Sequence, residues 1–118
     1  MTYKVYFATK RGSPTERVND LLGGYGWQGV LAHEGDTDVL AESFPPHRLV
    51  TPIMHLSRIW RECKERYGAR GGVSLGDVVD LGGAFYLYTG VGGDAGWEVI
   101  TRPSQVKDIE DGIKLGWA

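Results

Sequence analysis

The sequence predicts a single α+β domain in which a small antiparallel sheet packs against one long amphipathic helix. Three observations support this fold class: segments rich in β-forming residues near both ends of the chain, one helical apolar stripe in the middle, and glycine pairs between segments. The chain has 118 residues, 42% hydrophobic and 24% charged, which is enough for one core. We therefore treat residues 1–118 as one domain.

The first part of the chain predicts a strand followed by a short helix. Residues 3–8 are dense in aromatic and β-branched side chains, which favour a strand. Ser13 has the properties of a helix N-cap, because Pro14 follows it and Glu16 lies three residues after it. The pair Gly23–Gly24 is expected to end this helix.

A hairpin that turns at Gly35–Asp36 is predicted after the short helix. Residues 27–32 and 38–44 flank a polar turn at residues 33–37. The segment 38–44 fits a strand or a helix, and the sequence leaves these alternatives open. Pro45 and Pro46 end whichever element precedes them.

The clearest predicted element is a helix at about residues 51–67. Thr51 is a suitable N-cap, and Pro52 fits the first helical position because its missing N–H has no helical partner there. One face carries an apolar stripe at three- and four-residue spacing, made of Ile53, Leu56, Ile59, Trp60, Cys63 and Tyr67. The opposite face and the helix end contain a candidate basic face, made of Arg58, Arg61, Lys64, Arg66 and Arg70.

The last third predicts a β-meander and a terminal helix. Residues 73–81, 84–91 and 96–101 are apolar or alternating and are separated by glycine-rich gaps of hairpin length. The long helix is expected on one side of this sheet, with the tyrosines on the other. Residues 104–111 predict a short helix closed by Gly112, followed by an apolar tail.

Composition excludes several classes of function. The net charge of −2 provides no strong field toward nucleic acid or an anionic membrane, and is too small for an acidic mimic of DNA. Cys63 is the only cysteine, so neither an intramolecular disulfide nor a multi-cysteine zinc site can form. No apolar run approaches the ~20 residues of a membrane span. We therefore expect a cytoplasmic protein without a membrane partner.

Two polar segments contain residue types that occur in ligand sites. His33, Glu34, Asp36 and Asp38 gather oxygen ligands around Gly35, but they lack the regular spacing and closing glutamate of a calcium loop. Residues 90–96 are glycine-rich, but a strand follows them, whereas a phosphate-binding loop opens a helix. We expect exposed turns at both places, with no metal and no cofactor.

The sequence also contains no recognisable catalytic constellation. Cys63 lies on the apolar stripe, where a free cysteine behaves as a small hydrophobic residue. His55 lies on the polar face of the helix, and His47 lies in a proline-broken segment. No nucleophile elbow and no zinc-protease helix motif is present. We therefore expect a protein that is not an enzyme.

Three segments in the last third of the chain resemble a pattern of the YodL-like and related small domains of phage and plasmid proteins. They are residues 74–81 (SLGDVVDL), the strand 85–88 (FYLY) and residues 96–100 (GWEVI). In that group a serine-rich segment ends in Asp-Val-Val, and a tyrosine-rich strand and a glycine-aromatic pair follow. Here Ser74 matches, whereas Leu75 and Gly76 stand where the family has its second serine. The resemblance implies a mobile-element protein acting in the cytoplasm of a host bacterium, with no catalytic residues to transfer.

These observations favour a protein that acts by binding a host protein, in host takeover or against host defence. The candidate partner-binding residues are aromatic: Trp97, Trp117, Tyr86 and Tyr88. One alternative is a nucleic-acid-binding or DNA-metabolism accessory protein that uses the basic face and the strand tyrosines. Another is a small-ligand or nucleotide-binding sponge that uses the glycine-rich turns. The oligomeric state, including a homodimer, is left open by the sequence.

Overall fold

The structure is a computed structural model that describes residues 2–9, 12–36, 52–68, 73–90 and 96–116. This part of the chain forms five strands and three helices, so the predicted α+β class is confirmed. In chain order the elements are β1 (Thr2–Ala8), α1 (Pro14–Gly23), β2 (Gly29–Asp36), α2 (Pro52–Arg66), β3 (Val78–Leu81), β4 (Ala84–Tyr88), β5 (Trp97–Ile100) and α3 (Pro103–Gly116).

The five strands form one antiparallel sheet in the order β2-β1-β3-β4-β5. The predicted meander is present as β3-β4-β5, and the N-terminal strand β1 pairs with β3. β1 also pairs with β2, through a register that shifts between Val5 and Tyr6. β2 runs to Asp36, so residues 33–36 belong to a strand and the prediction of a polar turn there is wrong. The segment 38–44 lies outside the described residues.

Helices cover both faces of the sheet. On one face, Leu56, Ile59 and Cys63 of α2 are completely buried against side chains of β1 and β3. On the other face, Leu21 of α1 and Ile109 of α3 are completely buried. The expected two-layer arrangement, with helix on one side and tyrosines on the other, is therefore wrong. Period-2 alternation along β4 places Tyr86 and Tyr88 on the α2 face, and Phe85 and Leu87 under α1 and α3.

α2 confirms the predicted position of the helix, but the prediction of one long helix is not confirmed. It has 15 residues and α3 has 14, so the domain does not contain one dominant helix. The apolar stripe is buried at its centre, whereas Ile53 near the N-terminal end is 41% exposed. The predicted cap Thr51 lies outside the described residues.

The ends of α1 follow the sequence prediction. The Ser13 side chain accepts a hydrogen bond from the backbone N–H of Glu16 at 3.2 Å, and Pro14 occupies the first turn. Gly24 has a left-handed φ of 81°, and its N–H bonds the carbonyl of Leu21 while the N–H of Tyr25 bonds that of Asp20. This is a Schellman motif, in which glycine avoids the steric cost of the left-handed conformation.

α3 continues through Gly112, so the prediction that this glycine closes the helix is wrong. A Cβ atom at Gly112 would collide with the backbone carbonyl of Trp27. The glycine therefore permits close approach of α3 to the segment before β2, rather than a change of direction. The Trp27 indole is 5% exposed and donates from Nε1 to the carbonyl of Gly76 at 2.7 Å, which fixes the ring in this core.

The carboxylate of Asp77 connects three segments of the sheet. It is completely buried; Oδ1 accepts from the backbone N–H of Ala8, and Oδ2 accepts from that of Ser74, each at 2.7 Å. Its backbone carbonyl accepts from the N–H of Tyr88 at 2.9 Å. The bond to Ser74 lies within the turn entering β3, and the bond to Ala8 ties this turn to the end of β1. Val79 and Leu81 then pack beneath α2, whereas Val78 faces α1 and α3.

We expect Asp77→Ala to lower the free energy of unfolding by about 3 kcal/mol or more, because two buried N–H groups lose their acceptor at about 1–3 kcal/mol each. Asp80→Ala is the matched control: Asp80 accepts from the N–H of Gly83 at 2.9 Å in an exposed hairpin turn. Its loss should stay under about 1 kcal/mol, since water replaces the bond. Equal losses in urea denaturation of the two variants would contradict the role assigned to Asp77.

Candidate functional site

Two cross-strand pairs bring three of the nominated aromatic residues together. Tyr86 lies opposite Val99, and Tyr88 lies opposite Trp97; these two pairs are neighbours on one face of the β4–β5 ladder. The rings of Tyr88 and Trp97 are in contact, with centroids 4.9 Å apart and planes tilted by 58°. Tyr86, Tyr88 and Trp97 all pack against the α2-side cluster, and alternation along β5 places Val99 on the same face as Trp97. We call these four residues the β4–β5 patch.

The four members of the β4–β5 patch differ in access to solvent. Val99 is 49% exposed, whereas Tyr86 and Trp97 are half-buried. Tyr88 is only 7% exposed, so it supports the Trp97 ring from below and is not itself an accessible contact. Val99 was not among the predicted partner-binding residues, although its spacing of two from Trp97 in an alternating strand was a signal for it. Trp117 lies outside the described residues.

The candidate basic face is interrupted by acidic residues. Arg66 pairs with Glu62 at 3.5 Å across one helical turn, and Glu65 is exposed between them. The Nζ of Lys64 lies 5.1 Å from the centroid of the Trp60 ring, a cation–π distance. Arg61 is exposed and Arg58 is half-buried on the same helix, and Arg70 lies outside the described residues. Mixed charge of this kind is typical of an ordinary solvated helix face.

A polar aromatic cluster joins the end of α2 to β1 and β2. The hydroxyl of Tyr3 lies 3.2 Å from Nε2 of His33, and the hydroxyl of Tyr67 donates to the carbonyl of Ala32 at 2.9 Å. The Tyr67 ring meets His33 and Phe7 edge-on, with centroid distances of 6.0 and 5.5 Å. Sequence reasoning did not find this cluster, because its members are far apart in the chain and two of them looked like ordinary strand residues.

Burial favours the neutral forms of Tyr3 and His33. Burial raises the pKa of Tyr3 to about 12, and the Glu62 carboxylate adds to this rise. Burial lowers the pKa of His33, and the Arg66 guanidinium lowers it further. The Tyr3 hydroxyl and Nε2 of His33 share one hydrogen bond, whose donor depends on the imidazole tautomer. The arrangement suits a structural hydrogen bond more than proton transfer to a substrate, since burial disfavours the charged form of both groups.

Other candidate chemistry is limited in the described part of the chain. Cys63 is fully buried within the apolar cluster under α2, where a thiol is a poor nucleophile. His33, Glu34 and Asp36 lie along strand β2, and Asp38 lies outside the described residues. Among the residues described, no group of three or more histidine, cysteine or carboxylate side chains could hold a metal ion. None of the described helices combines the length and the apolar composition that crossing a bilayer requires.

Two surface depressions lie at the β4–β5 end of the sheet. A cavity of about 440 Å³ lies between Pro14, the 73–75 segment, Tyr88 and Gly90. A groove of about 280 Å³ lies on the other side of the sheet, where the end of α1 and the start of α3 meet β5. Its lining residues are Leu22, Glu98, Val99, Thr101, Arg102 and Gln105.

Comparisons with known proteins give no assignment: no family model, no curated protein and no solved structure matches this chain. The candidate site is therefore defined by its own geometry. The accessible side chains of Val99 and Trp97, the edge strand and both depressions meet around β4 and β5, and this region is the candidate interface.

The cluster of Tyr3 and His33 gives a pH-dependent prediction. Unfolded Tyr3 ionises near its ordinary pKa of 10.0, while the folded phenol resists ionisation until about 12. The free energy of unfolding should therefore fall as pH rises through this interval, because the unfolded state loses a proton that the folded state retains. Tyr3→Phe should reduce this alkaline loss in denaturant titrations across the alkaline range.

Tyr25→Phe is the matched control, since the Tyr25 ring is 78% exposed. It should reproduce the wild-type dependence of stability on pH. If Tyr3→Phe also reproduces it, burial does not hold the Tyr3 hydroxyl in its neutral form.

Proposed function

We propose that this protein is a binding module that acts by occupying another protein through the β4–β5 patch, and that it catalyses no reaction. The observation that carries the proposal is the combination of a half-exposed Val99 with an adjacent Trp97 held in place by Tyr88. Apolar side chains that are both fixed and accessible lose little conformational entropy on binding, which is the property of interface anchors.

The resemblance to small domains of phage and plasmid proteins supports a host protein as the partner, in host takeover or against host defence. The residues that carry this resemblance include β3, β4 and β5, so the motif and the patch occupy the same part of the sheet. The proposed partner surface is therefore apolar at its centre and presents a flat or extended segment to the sheet.

The nucleic-acid alternative is less well supported by the geometry. Base stacking requires exposed aromatic rings next to positive charge. Tyr88 is buried, Tyr86 is half-buried on the α2 face, and the basic residues of α2 alternate with Glu62 and Glu65. The small-ligand alternative is favoured by one observation, the cavity of about 440 Å³ beside Tyr88 and Gly90. Ligand binding there would raise the melting temperature in a concentration-dependent manner.

The proposal predicts that Val99→Lys abolishes partner binding while the fold survives. Lysine at this exposed position brings a charge into the centre of the apolar contact, where an unpaired charge must be desolvated. Tyr25→Lys is the matched control, because it also replaces an exposed apolar side chain by lysine, next to α1 on the other side of the domain. Affinity capture from bacterial lysate with quantitative mass spectrometry measures binding, and a growth or phage-defence assay measures activity, each beside a thermal melt.

We expect wild type and Tyr25→Lys to retain the same specific proteins. Val99→Lys should lose these proteins while its melting temperature stays unchanged. Cys63→Ser and His33→Ala should keep both the captured proteins and the activity. Loss of activity in folded His33→Ala or Cys63→Ser, with activity retained in Val99→Lys, would replace contact with an enzymatic or ligand-sequestering mechanism.

A further inference from the structure

The outer edge of β5 has a hydrogen-bonding pattern that can be read from the ladder. The N–H of Thr89 bonds the carbonyl of Gly96 at 2.8 Å, so residues 89 and 96 form a hydrogen-bonded pair in the β4–β5 register. Such pairs alternate in antiparallel ladders, so Glu98 and Ile100 also direct their backbone groups toward β4. Trp97, Val99 and the following Thr101 therefore direct theirs outward.

The neighbouring ladder gives the same result independently. The N–H of Tyr88 bonds the carbonyl of Asp77 at 2.9 Å, so the even-numbered residues of β4 face β3 and the odd-numbered ones face β5. Among the described residues, no strand pairs with the outer edge of β5, which is the last in the sheet order. An edge with outward N–H and C=O groups is a template for another extended strand.

The charges beside this edge determine which strand fits it. Glu98 and Arg102 are both exposed, and neither forms an ion pair with another described residue. Glu98 and Arg102 are four residues apart. An antiparallel partner strand with a basic residue opposite Glu98 and an acidic residue opposite Arg102 would pair both charges. A second copy of this chain provides that pattern by symmetry, because each contact in a two-fold interface occurs twice.

We propose that β5 pairs with β5 of a second copy, giving a dimer with one continuous antiparallel sheet. In the register centred on Ile100, Glu98 lies opposite Arg102 of the other copy, and Val99 lies opposite Thr101 with their outward N–H and C=O groups bonded. Centring the pairing on Glu98 would instead place two carboxylates directly opposite each other, and like charges at such positions are destabilising. A register centred on Val99 would place Glu98 opposite Ile100, so the register centred on Ile100 is the one that pairs Glu98 directly with Arg102.

The groove of about 280 Å³ provides space for this contact. It lies along the same edge and includes Glu98, Val99, Thr101 and Arg102, with Leu22 and Gln105 behind them. The Glu98 and Arg102 side chains of the second strand would lie along it, on the α1 and α3 side of the sheet. Tyr86 and Trp97 of the β4–β5 patch lie on the opposite side and stay outside the seam, whereas Val99 lies in it, opposite Thr101 of the other copy.

Sedimentation velocity over a range of protein concentrations tests this proposal. Wild type should show a reversible monomer–dimer equilibrium that weakens as salt is added, because the paired charges are exposed. Glu98→Arg and Arg102→Glu each convert both symmetric attractions into repulsions and should weaken dimerisation about tenfold or more. The double variant Glu98→Arg/Arg102→Glu should restore the wild-type equilibrium, since the pair is exchanged but intact.

Lys107→Glu is a control of the same charge change at an exposed position of α3 outside the groove, and should not alter dimerisation. A protein that remains monomeric at all concentrations would overturn the proposal. So would a dimer that either single variant leaves unchanged, or that the double variant fails to restore. None of these variants changes a residue of the β4–β5 patch, so failure of dimerisation and failure of partner binding are measured on different variants.

Discussion

The buried carboxylate of Asp77 links the segments around which the sheet is organised. Its two oxygens hold the backbone of Ala8 at the end of β1 and of Ser74 in the turn before β3, and its carbonyl begins the β3–β4 ladder at Tyr88. A buried carboxylate is unfavourable unless its oxygens receive hydrogen bonds, so this position tolerates few alternative backbone arrangements. The next carbonyl toward the N-terminus, that of Gly76, receives the Trp27 indole, which connects the same turn to the core under α3.

This constraint extends to the candidate interface through Tyr88. Asp77 fixes the backbone of Tyr88, the Tyr88 ring packs against Trp97, and Trp97 stands two residues from Val99 on the same strand. α2 is buried mainly against β1 and β3, so the rim at β5 remains accessible. The patch is thus an exposed surface on a rigid support, and this combination distinguishes a binding site from a loosely packed sheet edge.

Local sequence patterns predicted the elements well and their arrangement less well. The Ser13-Pro14 start and the Gly23–Gly24 end of α1 depend on backbone capping, which acts over a few residues and can be read directly. Glycine often ends helices, so Gly112 was predicted to do so. Its role in the structure depends instead on the approach of Trp27, which is 85 positions away in the chain, and no local pattern contains that contact. The tyrosine face of β4 was misassigned because α1 and α3 cover the second face of the sheet, and their packing partners are distant in sequence.

The candidate site was also predicted only in part. Trp97, Tyr86 and Tyr88 were identified by residue type, and alternation within β4 was sufficient to place the two tyrosines on one face. The position of Trp97 on that same face depends on the β4–β5 register, which no local pattern contains. Exposure could not be predicted, because it depends on which part of the sheet α2 covers: Tyr88 is buried and Val99 is exposed. The pairing of Tyr3 with His33 joins strands through a register that includes a bulge, so sequence distance gave no indication of it.

Hydrogen–deuterium exchange of the protein alone and with its captured partner tests the central claim most directly. The concentration should be low enough to keep the protein monomeric, so that self-association does not contribute. The account predicts new protection confined to residues 84–90 and 96–100, with exchange in α1 and α3 unchanged. Protection centred on the basic residues of α2 or on α3, with β5 unaffected, would contradict the assignment of the β4–β5 patch as the binding surface.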